Sequence, residues 1–141
     1  MKKEISTNAI RVLIVDDHRL FLKGVSALIQ DEPGLIVIGE AQNRTEAIDA
    51  IHNRPDIILL DLDLGNENSL DFIPELIAAA GGARILIVTG LPDPEVHLQA
   101  IRKGAMGVLL KGEPPEILLK AIRKVHAGEI WINRHELCGS P

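Results

Sequence analysis

Five short aliphatic runs recur along this chain of 141 residues, and their spacing restricts its possible folds more than any other feature. They are Val12-Leu13-Ile14-Val15, Leu35-Ile36-Val37-Ile38, Ile57-Ile58-Leu59-Leu60, Ile85-Leu86-Ile87-Val88 and Val108-Leu109-Leu110. Their first residues, at 12, 35, 57, 85 and 108, stand 23, 22, 28 and 23 positions apart. Unbroken runs of this length read as strands buried on both faces. Each interval accommodates a helix and two loops. The pattern predicts an α/β fold, a doubly wound (βα)5 parallel sheet. Aromatics are only 2% of the chain (Phe21, Phe72 and Trp131), so the core must be aliphatic, as such a sheet requires.

The intervening segments carry helical periodicity. Leu20, Phe21, Val25, Leu28 and Ile29 fall on one face, with Gly24 expected to let that face approach the sheet and Pro33-Gly34 to stop the helix. Ala47, Ile48 and Ile51 predict a shorter helix ending near Pro55. Leu70, Ile73, Leu76, Ile77 and Ala80 predict a third, in which Pro74 is tolerable only in the first turn. Val96, Ala100 and Ile101 offer a fourth helix little apolar anchorage, whereas Ile117, Leu118, Ala121, Ile122 and Val125 predict a well-buried fifth. From Glu129 the pattern dissolves into a tail, where Trp131 and Ile132 are expected to fold back on the last helix. Met106 is expected to pack in the core or against a helix, and Lys120, Arg123 and Lys124 read as a solvated face.

Composition excludes several function classes. Fifteen Lys and Arg against 20 Asp and Glu give a net charge of −5, a poor basis for holding nucleic acid directly. The single Cys138 forbids an internal disulfide and fits a reducing cytoplasm. No apolar run approaches the roughly 20 residues of a membrane span, and Met1-Lys2-Lys3-Glu4 lacks a signal peptide's apolar stretch. The histidines, His18, His52, His97, His126 and His135, show no metal-ligand spacing, and His18, although within reach of an acidic cleft, reads first as a capping or surface residue.

Chemistry concentrates where the strands end. Ligands of doubly wound sheets sit outside the carboxyl ends of the strands. Asp16 and Asp17 follow the first run, Asp61 the third, Thr89 the fourth and Lys111 the fifth. In the strand order 2-1-3-4-5, the first and third strands flank the switch point and bring the three aspartates together. Any one of them could simply cap the next helix; the ordered set is what points to a site. Three carboxylates in one cleft repel unless a cation intervenes, and a hard ion such as Mg2+ suits oxygen ligands. An ionised carboxylate, a metal, an ammonium group and a hydroxyl are the parts needed to accept a phosphoryl group.

The stretch Arg11 to His18, with Asp61, Thr89-Gly90, Lys103-Gly104-Ala105 and Leu110-Lys111, resembles a response regulator receiver domain. Leu20-Phe21 and Ala127-Gly128-Glu129 add a resemblance to the NarL/FixJ subfamily, whose members carry a helix-turn-helix output domain. The resemblance implies that residues 11–128 form the receiver, with 1–10 an N-terminal extension and 129–141 a tail or the start of a linker. It implies that Asp61 accepts a phosphoryl group from a phosphohistidine of a sensor histidine kinase. Asp17 and Asp61 would ligate Mg2+ directly, Asp16 through water and Asp63 through its backbone carbonyl, while Thr89 and Lys111 would grip the phosphoryl oxygens. Phosphorylation is then expected to promote a homodimer through helices near the fourth and fifth strands. DNA contact would need an output domain that is not within these residues.

The chain departs from the family at three places. Leu64-Gly65-Asn66-Glu67-Asn68-Ser69 replaces the usual Met-Pro-Gly loop, so a looser loop is expected. Val108 stands where the family usually has an aromatic, which leaves Thr89 needing another partner, with the Leu91-Pro92-Asp93-Pro94 loop a candidate. Gly112 follows the lysine where many relatives have Pro. Two other readings remain open at this point. One is a phosphatase, because Asp61-Leu62-Asp63 resembles the Asp-x-Asp motif of the haloacid dehalogenase group. The other is an interaction module that works without phosphate.

Overall fold

A computed structural model describes residues 8–65 and 67–132. Cys138, His135, Asn66 and most of the two terminal extensions lie outside them. The elements are β1 (Ile10–Val15), α1 (Arg19–Gln30), β2 (Leu35–Ala41), α2 (Arg44–Ala50), β3 (Ile57–Leu60), β4 (Asp63–Leu64), β5 (Glu67–Asn68), α3 (Ile73–Ala80), β6 (Arg84–Thr89), α4 (Pro94–Arg102), β7 (Gly107–Leu110) and α5 (Pro115–His126). Five strands form one parallel sheet in the order β2-β1-β3-β6-β7, the arrangement expected from the spacing of the runs.

The aliphatic runs read as continuous because both faces of the sheet are covered. Successive side chains of a strand point to opposite faces. Val12 and Ile14 join Ile57, Leu59, Leu86, Val88 and Leu109 under α1 and α5. Leu13 and Val15 join Ile58, Leu60, Ile85, Ile87 and Val108 under α2, α3 and α4. Burying each such side chain contributes roughly 1.5–3 kcal/mol, so the alternation ties both layers to the sheet's centre.

Several expectations change at the edges. The second run is longer than its apolar residues indicate: β2 continues through Gly39 and Glu40 to Ala41, with a register shift opposite Val12 and Leu13. It is an edge strand, and only Leu35 and Ala41 in it are fully buried. In α1 the inward residues are Leu22, Val25 and Ile29, while Leu20 is 92% exposed. Gly24 faces solvent, with no atom near enough to meet an added Cβ. The helix is thus rotated from the expected face, because Leu22, not Leu20, completes the i, i+3, i+7 stripe with Val25 and Ile29.

Pro74 lies in the first turn of α3, where its missing N–H breaks no helical hydrogen bond. The tail does turn back, but it docks on the sheet. Trp131 bridges Gly107 in parallel, its N–H donating to Met106 O at 2.9 Å and its carbonyl accepting from Val108 N–H at 2.8 Å. Its side chain packs, half-buried, on the core shared with α1 and α5. A Cβ at position 107 would lie 2.7 Å from the Trp131 carbonyl oxygen, so only glycine permits this approach. Arg123 is also more than solvated surface, since its guanidinium donates to Glu32 at 3.0 Å and to Pro33 O at 2.7 Å.

The loop after β3 is tied down where a loose one was expected. Asp63 pairs with Asn68 and Leu64 with Glu67 in an antiparallel ladder, and Gly65 adopts a positive φ of 66°. The Ser69 hydroxyl donates to Asp61 O at 2.6 Å, and Glu67 accepts from Arg44 N–H at 2.9 Å. A Cβ at Gly65 would sit 3.3 Å from Asp17 Oδ2, which links this turn to the acidic residues.

Candidate functional site

Parallel strands that start together end together, and the strand ends build the site. Asp16 N–H donates to Ala41 O at 2.9 Å and Asp61 N–H to Val15 O at 3.0 Å. The backbone ladder therefore carries one register step beyond the strands and fixes both aspartates side by side. Asp16 and Asp61 are each 2% exposed. The side chain of Asp17, 34% exposed, lines the open side.

Lys111, following β7, reaches across to both buried carboxylates. Its Nζ lies 2.8 Å from Asp16 Oδ2 and 3.1 Å from Asp61 Oδ2. It also sits 4.5 Å from the centre of the Phe21 ring, a cation–π contact that holds the flexible stem over α1. Each carboxylate uses its second oxygen on backbone: Asp16 Oδ1 accepts from His18 N–H at 2.8 Å and Asp61 Oδ1 from Asp63 N–H at 3.3 Å. Asp16 does not cap α1, since its Oδ1 holds the N–H of the N-cap residue ahead of the helix while the site uses the other oxygen.

His18 is exposed, as a surface residue should be, and it also touches the acidic cleft. It occupies the N-cap position of α1 without a side-chain capping bond. Its Nδ1 lies 3.0 Å from Lys111 Nζ, 3.4 Å from Asp16 and 3.9 Å from both Asp17 and Asp61. The only signal for it was adjacency to the acid pair. Ser69 and Phe21 were missed, since a hydroxyl on a backbone carbonyl and a ring beneath a cation leave no spacing rule.

Burial pushes the Asp61 carboxyl above its ordinary range, and the neighbouring charge of Asp16 adds to it. Lys111 and the Asp63 N–H pull the other way without cancelling them. Burial also works against the Lys111 ammonium, but its hydrogen bond to Asp16 and the charges of Asp61 and Asp16 outweigh that, so its affinity for the proton is raised.

Ligand atoms of Asp16, Asp17, His18 and Asp61 all lie within 4.8 Å of one another, close enough to share one cation. Three of the four are carboxylates, a donor set that fits a hard divalent ion. Thr89, 1% exposed, ends β6, and its carbonyl accepts from Lys111 N–H at 2.9 Å. Its hydroxyl turns within its own loop, accepting from Leu91 N–H at 3.2 Å. Asp63 reaches the site by its backbone, and its side chain is exposed.

Residues 12–123 match the model of the response regulator receiver domain. The chain belongs to this family. It is 37% identical over 123 residues to the nitrate/nitrite response regulator NarL of Escherichia coli K12, covering 86% of this chain and 57% of that protein. With NarP of the same organism the identity is 42% over 115 residues, or 80% of this chain and 53% of the relative. The chain therefore spans little more than half the length of these curated relatives. The signal receiver domain of the putative response regulator NarL from Mycobacterium tuberculosis superposes with a TM-score of 0.81 at 28% identity, covering 86% of this chain and 99% of that one.

Receiver domains of NarL-like response regulators belong to two-component signalling and are not classical enzymes. The haloacid dehalogenase alternative gains no support, because Asp63, its expected acid/base group, carries an outward side chain. Among the described residues, no helix is long and apolar enough to cross a membrane.

Proposed function

We propose that this receiver takes a phosphoryl group onto Asp61 from a phosphohistidine of a sensor histidine kinase and changes conformation in response. The observation that carries the reading is the position of Asp61. Its carboxylate is buried, backed by Asp16, and faces the Lys111 ammonium on one oxygen while Asp63 N–H holds the other. An Asp61 oxygen attacks phosphorus, the P–N bond breaks, and its electron pair leaves with the imidazole of the donor. Lys111 neutralises charge on the phosphoryl oxygens, and the Thr89 hydroxyl donates to one of them. Asp17 and Asp61 directly, Asp16 through water and the Asp63 carbonyl would hold Mg2+, which when bound supplies further positive charge at those oxygens.

The experiment is intact-mass analysis after treatment with a small phosphodonor such as acetyl phosphate in Mg2+ buffer. One added phosphoryl group is expected on the natural chain. A chain that stays unmodified under these conditions overturns the reading. Metal binding has its own readout: Mg2+ should raise the melting temperature by mass action, and Asp17→Asn should weaken that response about tenfold in midpoint concentration, as loss of one metal-site group does. An equal midpoint in the variant would remove Asp17 from the metal site.

The donor protein has a surface to meet beside the site. Exposed Leu20 stands at a groove of about 460 Å3 lined by Phe21, Gly24, Leu28, Leu109 and Pro115, next to Lys111. On the other face of the sheet, Leu91 in the loop before α4 and Leu98 within α4 are exposed, which fits a homodimer formed through α4 and its neighbours upon phosphorylation. Sedimentation velocity with and without beryllofluoride should then show a monomer-to-dimer shift, and an unchanged coefficient counts against the dimer. In this reading the protein works in the cytoplasm and controls transcription through an output domain joined to the receiver.

A further inference from the structure

We propose that His97 is the positioning residue that couples Thr89 to α4, serving where Val108 cannot. This rests on the reading of Asp61 as phosphoacceptor. His97 is 2% exposed and, with Ala100, is one of the two buried residues of α4. A buried imidazole is unfavourable unless hydrogen-bonded. Its Nε2 lies 2.6 Å from Leu91 O. A carbonyl only accepts, so Nε2 carries the proton and donates. The N–H of the same Leu91 donates to Thr89 Oγ1 at 3.2 Å.

Leu91 is therefore held at both ends, by the hydroxyl at the site and by an imidazole rooted in α4. When the Thr89 side chain turns about χ1 to bring its hydroxyl to a phosphoryl oxygen on Asp61, Oγ1 itself moves away from the Leu91 N–H. Leu91 then keeps its anchor to His97 alone. The segment between them does not absorb the change easily. Pro92 and Pro94 fix two φ angles, and Asp93 is bound into the first turn of α4, its Oδ1 accepting from Glu95 N–H at 3.0 Å and its carbonyl from His97 N–H at 3.0 Å. Displacement of Leu91 consequently reaches α4 through His97. Val108 offers no side-chain polar atom for this, and its N–H is already bound to Trp131 O.

The test is nitrogen-15 NMR of the full chain with Mg2+, before and after beryllofluoride, with Asp61 phosphorylation followed separately by mass. In the natural chain the His97 Nε2 resonance is expected to shift together with the Leu91 and α4 amides. His97→Gln, which keeps an N–H donor, should retain the α4 shifts. His97→Met should lose most of them while Asp61 still takes up phosphoryl to the same extent. An unmoved His97 ring in the natural chain, whose Asp61 is fully modified, overturns the coupling and leaves the phosphoacceptor reading intact. That outcome is read from the natural chain and does not depend on how the variants fold. Absence of any modification at Asp61 overturns both.

Discussion

Asp61→Asn is expected to abolish phosphoryl uptake and, at neutral pH, to make the protein more stable. The first effect follows because the amide has no nucleophilic carboxylate oxygen, so intact mass should stay unchanged after phosphodonor treatment. The second follows from linkage. Burial and then Asp16 raise the folded carboxyl above its ordinary 3.8. A raised acid favours folding most when protonated, below the unfolded value, and that contribution is lost as pH rises through the folded value. At neutral pH the natural chain therefore bears the ionised, buried form, and the neutral amide relieves it. Each kcal/mol of relief raises the melting temperature of a domain this size by about 4 °C. The advantage of the variant should shrink as pH is lowered toward 3.8. Calorimetry across that window decides it: a variant less stable at neutral pH would mean that Lys111 more than compensates the buried charge.

Lys111→Met carries the largest expected loss of stability. The methionine fits the apolar stem beside Phe21 but leaves Asp16 and Asp61 adjacent and buried without their ammonium. Breaking a buried pair by removing one partner costs about 3–5 kcal/mol. Proton uptake by the aspartates offsets part of this. With the lowering influence of Lys111 gone, the Asp61 carboxyl moves further up, so the variant should regain stability as pH falls through that raised value. The natural chain should keep its Lys111 contribution below 10.5 and lose it only as pH rises through the raised folded value. Urea unfolding at neutral and mildly acid pH measures both arms. A loss below about 1 kcal/mol, the range of exposed ion pairs, would show that solvent already screens the cluster.

Taken together, the two variants separate function from stability. The acidic rim opposes folding and is held by one lysine, which is the usual direction of the trade at a site selected for chemistry. His18 stands at the same rim, its Nδ1 among three carboxylates and an ammonium.

Much of this was legible from the amino-acid order alone. Unbroken aliphatic runs require cover on both faces, their spacing requires crossovers, and strands joined by crossovers run parallel, which puts every carboxyl end on one rim. Once that is granted, Asp16, Asp17, Asp61, Thr89 and Lys111 fall at the same edge by counting. The face of α1 was misjudged rather than hidden: Leu20 and Leu22 are equally apolar, but only Leu22 shares the i, i+3, i+7 stripe with Val25 and Ile29. The closed hairpin after β3 was not legible, since the Ser69 hydroxyl and Arg44 N–H act there across gaps of eight and 23 residues. The contacts of His18 and His97 belong to the same class. A histidine's role depends on which carbonyl or carboxylate lies within 3 Å or so of its ring, and hydrogen bonds of that range form between atoms that only the folded chain brings together. Local pattern determined the layers and the rim; the tertiary structure alone decided which side chains meet there.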